Sequence, residues 1–282
     1  MISVLQRGTI DYSTGLRLQE KLVRLRKEGR VGDTLLLLEH SPVITLGRNA
    51  KAANIVASPE FLAQRQVEVF DCDRGGDVTF HGPGQLVAYP IFDLRGFPSS
   101  NENRRTLGAV EFVRRLEEVL IRTCADFGIP SKRIPGLTGV WTGGPESAGG
   151  NARVGTSALA PSVERSSTAS DAKIAALGIH ISRAVTSHGI ALNVNTDLSF
   201  FNLIVPCGIA SKPVTSMQNE LDRALPMQDV AHALSRNFGV VFQSQVLWLE
   251  SLDALLGHNL GVPMKVPEEI RTFRGDDEVT WA

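Results

Sequence analysis

The sequence predicts an α+β fold in which a largely antiparallel β-sheet is flanked by helices. Three observations carry that prediction. Short apolar runs are bounded by glycine, proline or aspartate, long stretches repeat apolar residues every three or four positions, and in the second half apolar runs follow one another with turn residues between them. In chain order, Ile2 to Gln6 reads as a strand. Tyr12 to Glu28 reads as a helix, with Leu16, Leu18, Leu22 and Leu25 at roughly helical spacing and Gly29 ending it. "DTLLLLEH" and "PVITLG" are continuous apolar runs bounded by Asp33, Pro42 and Gly47, the pattern of buried strands. From Arg105 to Phe127, Leu107, Val110, Val113, Leu116, Leu120 and Cys124 form one helix face, which assigns Cys124 to the core. "LTGVWT", "AKIAALGIHIS", "GIALNVN" and "FFNLIV" read as consecutive strands, and Asp229 to Phe238 as a late helix.

The chain has 282 residues, 43% hydrophobic and 21% charged, enough apolar material for a full core and consistent with one domain carrying appendages. A formal net charge of -1 provides no global field for nucleic acid or an anionic membrane, so charge recognition must come from local patches. Cys72, Cys124 and Cys207 lie far apart without Cys-x-x-Cys or Cys/His spacing, which argues against a metal site or a disulfide framework. The N-terminus lacks the apolar stretch and cleavage site of an export signal, and "TLLLLEH" is too short to span a bilayer, so the expected compartment is cytoplasmic. Gly143 to Asp171 is rich in Gly, Ser and Ala and has no aromatic residue. It reads as a flexible inserted loop between two strands.

"RGGDVTFHGPGQ", Arg74 to Gln85, is the densest constellation of unusual residues. Gly75, Gly76, Gly82 and Gly84 permit close backbone approach, Pro83 stiffens the turn, and Arg74 and His81 add a fixed cation and a titratable ring. It is neither a Walker A loop nor a GxGxxG dinucleotide fingerprint, so neither ATP nor NAD is indicated. Cys207 sits between Pro206 and Gly208 at the apparent rim of a strand, where a turn can present its thiol. A small buried hydrophobe is the plainer alternative. A thiol attacks as thiolate and needs a nearby cation or base, for which Lys173, Lys212, His81 and His188 are the candidates. Lys173 opens a strand with few other charges, and a solvated lysine at a strand edge is its alternative reading.

"RGGDVTFHGPGQLVAYPIFDL", "DAKIAALGIHISRAVTSHGIALNVNTDLSFFNLIVPCGI" and "VTSM" together closely resemble the octanoyltransferases of lipoyl synthesis, from the first strand to about Phe242. That resemblance implies a biotin/lipoate protein ligase-like catalytic domain, a mixed sheet flanked by helices, over residues 1–242, with a C-terminal extension at 243–282. It implies Cys207 as the acyl-carrying thiol and Lys173 as the group that lowers its pKa. It implies substrate contacts from Arg74, Gly75, Gly76, Asp77, Val78, Thr79, Phe80 and His81, from Ala176, Leu177 and Gly178, and from Gly189, Ile190 and Ala191. The implied donor is octanoyl-acyl carrier protein. The implied acceptors are lipoyl domains of 2-oxoacid dehydrogenase complexes and the glycine cleavage H protein, with no cofactor and no metal.

Two departures from the family stand out: most of Gly143 to Asp171 is inserted where a short turn is usual, and Lys212 and Pro213 follow Cys207 where glycines are usual. Thioester exchange is close to neutral in energy, so no ATP is needed, and one base at Lys173 serves both half-reactions. Backbone N–H groups near Cys207 or the His81 ring are candidate oxyanion donors. Val78, Phe80, Leu177 and Ile179 are the expected lining of an acyl slot, and Arg104, Arg105, Lys132 and Arg133 the expected basic rim for acidic partners. Two rival functions remain: an ATP-dependent lipoate or biotin ligase that does not need Cys207, and a non-catalytic carrier-binding protein.

Overall fold

The computed structural model describes residues 1–100, 102, 104–143, 171–206 and 212–256. Nearly all of the expected inserted loop, Cys207 itself and the tail from residue 257 lie outside the described residues. The order of elements is β1 (Ile2–Ile10), α1 (Tyr12–Lys27), β2 (Asp33–His40), β3 (Val43–Leu46), α2 (Pro59–Gln64), β4 (Glu68–Asp71), β5 (Val78–His81) and β6 (Gln85–Ile91). There follow α3 (Ala109–Asp126), β7 (Ser131–Ile134), β8 (Leu137–Thr142), β9 (Ala172–Ser182), β10 (Val185–Asn193), α4 (Met217–Leu221), α5 (Met227–Val241), β11 (Val246–Leu249) and α6 (Leu252–Leu255).

Eight strands form one mixed sheet in the order β11-β1-β2-β6-β10-β9-β8-β7, and β4-β3-β5 form a second, smaller sheet. The run from β2 through β6, β10, β9 and β8 to β7 is antiparallel, as expected, while β1 pairs parallel to both β2 and β11. The four leucines of β2 show why that strand carries no polar alternation. Leu35 and Leu37 face the core beneath α3 and α5, Leu36 and Leu38 face the core beneath α1, and the strand is covered on both sides. Helix α1 starts where Asp11 accepts from the Thr14 backbone N–H and buries Leu18, Leu22 and Leu25.

Three expectations are corrected. "FFNLIV" is not a strand: Leu198–Leu203 is a 3₁₀ helix, opened by Asp197 accepting from the Ser199 N–H, and only Ile204 makes a bridge, to Ile55. A strand would point Phe200 and Phe201 to opposite faces. The tighter helical turn brings both onto Phe80, stacked at 4.7 Å and edge-on at 5.7 Å. Val110 is 78% exposed, because α3 begins only at Ala109 and its buried stripe runs through Phe112, Leu116, Val119, Leu120 and Cys124. Cys124 is buried as expected, and burial pushes its thiol up to about 12. The main sheet also continues past residue 242, where the catalytic domain was expected to end: β11 pairs with β1, and Leu252 and Leu256 pack into the core beneath α1.

Candidate functional site

The hairpin β9–β10 forms one wall of a cleft, and the loop Arg74–Asp77 lies across it. The cleft is narrow, about 40 Å³ in volume, and its walls are mostly apolar. Gly178 makes the approach possible, since a Cβ there would stand 2.7 Å from the Gly75 carbonyl and 3.1 Å from the Arg74 side chain. The Gly75 N–H donates to the Ile179 carbonyl at 3.0 Å, fastening loop to strand. Arg74 is buried and spends its donors on the loop: Nη2 donates to the carbonyls of Thr45 and Asp77, each at 2.7 Å, and Nη1 to that of Gly75 at 3.1 Å. Asp77 braces the preceding segment, accepting from Asn54 Nδ2 at 2.6 Å and from the Lys51 N–H at 3.2 Å.

Of the expected contact residues, Arg74, Gly76, Asp77, Thr79, His81, Ala176, Leu177, Gly178, Gly189, Ile190 and Ala191 line this cleft; Gly75, Val78 and Phe80 do not. Strand alternation is the reason. Thr79 and His81 face the cleft, so Val78 and Phe80 point the other way, into the small-sheet core with Ile44, Leu62 and Phe201. Of the four expected slot residues, only Leu177 lines the cleft; Ile179 packs against the core beneath α3 and α5. Tyr12, Val87 and Tyr89 take their place.

A cluster of rings closes the far part of the cleft. His81 Nδ1 lies 2.7 Å from Gln85 Oε1, and the Gln85 amide donates to the Phe80 carbonyl and to Asn193 Oδ1. With that amide so oriented, His81 carries its proton on Nδ1 and presents an unprotonated Nε2. Burial first, then the neighbouring His40, holds His81 down at about 3, so its ring is neutral and Nε2 cannot donate to an oxyanion. His40 Nδ1 faces the Ile10 carbonyl at 3.1 Å and so donates to it; Nε2, at 2.7 Å, therefore accepts from the Tyr89 hydroxyl. Burial lowers His40 to about 4 and raises the Tyr12 and Tyr89 phenols.

Lys173 stands near the start of β9, opposite Trp141, and is buried, not solvated at an edge. Its Nζ lies 5.3 Å over the Trp141 ring. Gly139, at φ 134°, leaves room for it: a Cβ there would come 2.6 Å from Lys173 Cε. Behind Gly139 sits the buried Glu117 carboxylate, bonded to Arg114 at 2.8 Å and Arg133 at 3.1 Å. Cys207 is outside the described residues, but the chain resumes at Lys212 beside Lys173. The Lys173 N–H donates to the Pro213 carbonyl at 2.8 Å, and the Thr215 N–H donates to the Lys173 carbonyl at 2.9 Å. Lys212 and Lys132 both pair with Asp171, and Arg133 with Glu117 and Glu118. Half of the expected basic rim is thus matched by carboxylates. Arg104 and Arg105 remain exposed.

Tyr12, His40, Tyr89, Gly139 and Glu117 went unread in the sequence as site residues. Only Gly139, a glycine inside a strand pattern, carried a signal, since such glycines mark close approach. Among the described residues no group of three or more His, Cys, Asp or Glu could hold a metal ion, and no helix is long and apolar enough to cross a membrane.

The mixed sheet flanked by helices, with a glycine-rich loop across its central hairpin, has the architecture of the lipoate protein ligase fold. Residues 11–239 match the lipoyl protein ligase A/B catalytic domain, and the chain belongs to that family. It is 56% identical to an octanoyltransferase of Koribacter versatilis over 98% of both chains. It is 55% identical to one of Acidobacterium capsulatum over 91% of this chain and 96% of that one. At the level of fold it is similar to a bi-partite lipoate protein ligase of Thermoplasma acidophilum, at TM-score 0.58 and 13% identity over 91% of this chain and 90% of that one.

Proposed function

We propose that this chain moves an octanoyl group from octanoyl-acyl carrier protein, through a thioester on Cys207, to the lysine amine of lipoyl domains in 2-oxoacid dehydrogenase complexes and the glycine cleavage H protein. Acyl transfer follows from membership of the family and from relatives named octanoyltransferase at 55% and 56% identity. One observation supports the thioester route: Pro213 and Thr215, a few residues beyond Cys207 in sequence, are hydrogen-bonded to the backbone of Lys173.

Lys173 takes the thiol proton, and the thiolate attacks the carrier thioester. The bond to the pantetheine sulfur breaks, and that sulfur leaves with the proton. In the second half-reaction the acceptor ε-amine attacks the Cys207 thioester, Lys173 takes a proton from the amine, and the Cys207 sulfur leaves and is reprotonated. The octanoyl tail lies in the cleft against Val87, Ala176 and Ala191, where burying about seven carbons contributes roughly 5 kcal/mol to recognition.

Intact-protein mass spectrometry after mixing with octanoyl-carrier tests the route. One octanoyl group on Cys207, released by hydroxylamine and absent in Cys207→Ser, is expected. Transfer that requires ATP and survives Cys207→Ser overturns it in favour of a ligase mechanism.

A further inference from the structure

Beyond the cleft lies a second, open groove of about 600 Å³ between α1 and the β9–β10 turn. Leu16 and Val23 form an apolar strip on its α1 side, and the rest of its lining is polar or charged, with Glu20, Arg24 and Lys27 from α1 and Asp71 and Asp73 opposite. Among the described residues only His188 lines both this groove and the cleft.

Its position is imposed by the backbone. Alternation along β10 would place His188 on the same face as Ile190, under α3 and α5, but His188 has φ 55°, in the left-handed region, and its ring instead meets Tyr89 edge-on at 6.4 Å and lines the groove beside α1. Two contacts hold this conformation. The His188 N–H donates to Gln19 Oε1 of α1 at 2.7 Å, and His188 Nε2 lies 2.6 Å from Asp73 Oδ1. His188 is 3% exposed, whereas Asp73, which does not line the cleft, is 53% exposed. In the β9–β10 pairing His188 stands opposite Ile179, six residues on from Lys173, at the end of the cleft remote from the lysine.

We propose that His188 is the residue that sets acyl chain length, closing the cleft against the outer groove, and that Asp73 is a positioning residue that latches it shut from outside. This rests on the cleft being the acyl slot, as proposed above. Removing the ring opens the cleft toward the groove, where the end of a longer chain can lie against the strip of Leu16 and Val23. Glycine is the suitable replacement, because it adopts φ 55° without steric cost.

The test uses the full chain and measures Kd for octanoic and tetradecanoic acid in the parent, His188→Gly, His188→Asn and Asp73→Ala. His188→Gly should tighten tetradecanoate relative to octanoate by at least ~10-fold, since the end of the longer chain can then lie against that strip. Asp73→Ala should shift the ratio in the same direction by less. If His188→Gly fails to unfold cooperatively, His188→Asn and Asp73→Ala decide. An unchanged ratio in folded variants overturns the proposal, as does a parent that binds neither acid. Octanoyl transfer by the parent is scored separately: its absence would sink the proposed reaction, while the binding ratio still decides whether His188 closes the cleft.

Discussion

The two ends of the β9–β10 hairpin solve opposite problems with buried polar groups. At the His188 end, His40, His81, Tyr12 and Tyr89 are packed ring against ring, and burial drives all four toward their neutral forms. At the Lys173 end, polar groups stay ionic and paired: Glu117 with Arg114 and Arg133, and Asp171 with Lys132 and Lys212. Their partners are partly exposed, so solvent screens the pairs and the desolvation cost is modest. The difference matches the two halves of an acyl thioester. In the proposed reaction a hydrocarbon tail is favoured by neutral walls, with the charge of Arg74 taken up by carbonyls of its own loop, whereas the thiol and amine need proton carriers beside them.

The sharpest way to break this comparison is Lys173→Ala. Loss of the proposed general base should lower kcat for octanoyl transfer by ~10²–10⁴-fold and slow Cys207 alkylation near neutral pH, while octanoate binding at the neutral end persists. Alkylation profiles against pH that coincide with the parent's would remove the lysine from that role.

Acid should expose the neutral end next. His40 at about 4 and His81 at about 3 lie below the ordinary 6.5, so between those values and 6.5 the unfolded chain binds more protons than the folded one. Their contribution is fully present above pH ~6.5 and is lost as pH falls through 6 toward 4, by a few kcal/mol in total. Depressed carboxylates such as Glu111, at about 2, add their loss only below about pH 4.5. Urea midpoints at pH 7, 6 and 5 check this, and a flat profile would contradict the neutral assignment.

Gly139→Ala probes the ionic end without touching a charge. Strain at φ 134° and the approach to Lys173 Cε should cost about 1–3 kcal/mol of stability and reduce kcat ~10-fold or more, with octanoate Kd unchanged. A variant with parental kcat would show that the lysine does not depend on the glycine for its place. The smallest effect is expected from Tyr89→Phe, which removes the hydroxyl donated to His40 and should cost ~1 kcal/mol, read from the unfolding midpoint.

Much of the site was legible because its residues are unusual where they stand. Arg74, His81 and the glycines between Arg74 and Gln85 break an ordinary apolar pattern, and most of the expected contacts do line the cleft. Val78 and Phe80 were misplaced because a local motif says which residues are near a ligand, not which face of β5 meets it. The 3₁₀ turn at Leu198–Leu203 escaped because "FFNLIV" has strand composition, and only packing of both phenylalanines on Phe80 selects the tighter turn.

By itself the sequence determined the elements governed by short-range physics: the helix α1 ending near Gly29, the buried leucine strand β2, and the antiparallel run from β8 to β10. Tertiary structure alone decided the parallel pairing of β1 with β2 and β11. It also decided the gathering of Tyr12, His40, His81 and Tyr89 from distant segments, and the turn of His188 away from its strand face. Those outcomes depend on which surfaces meet after the chain has folded, and periodicity along a segment carries no term for a neighbour a hundred residues away.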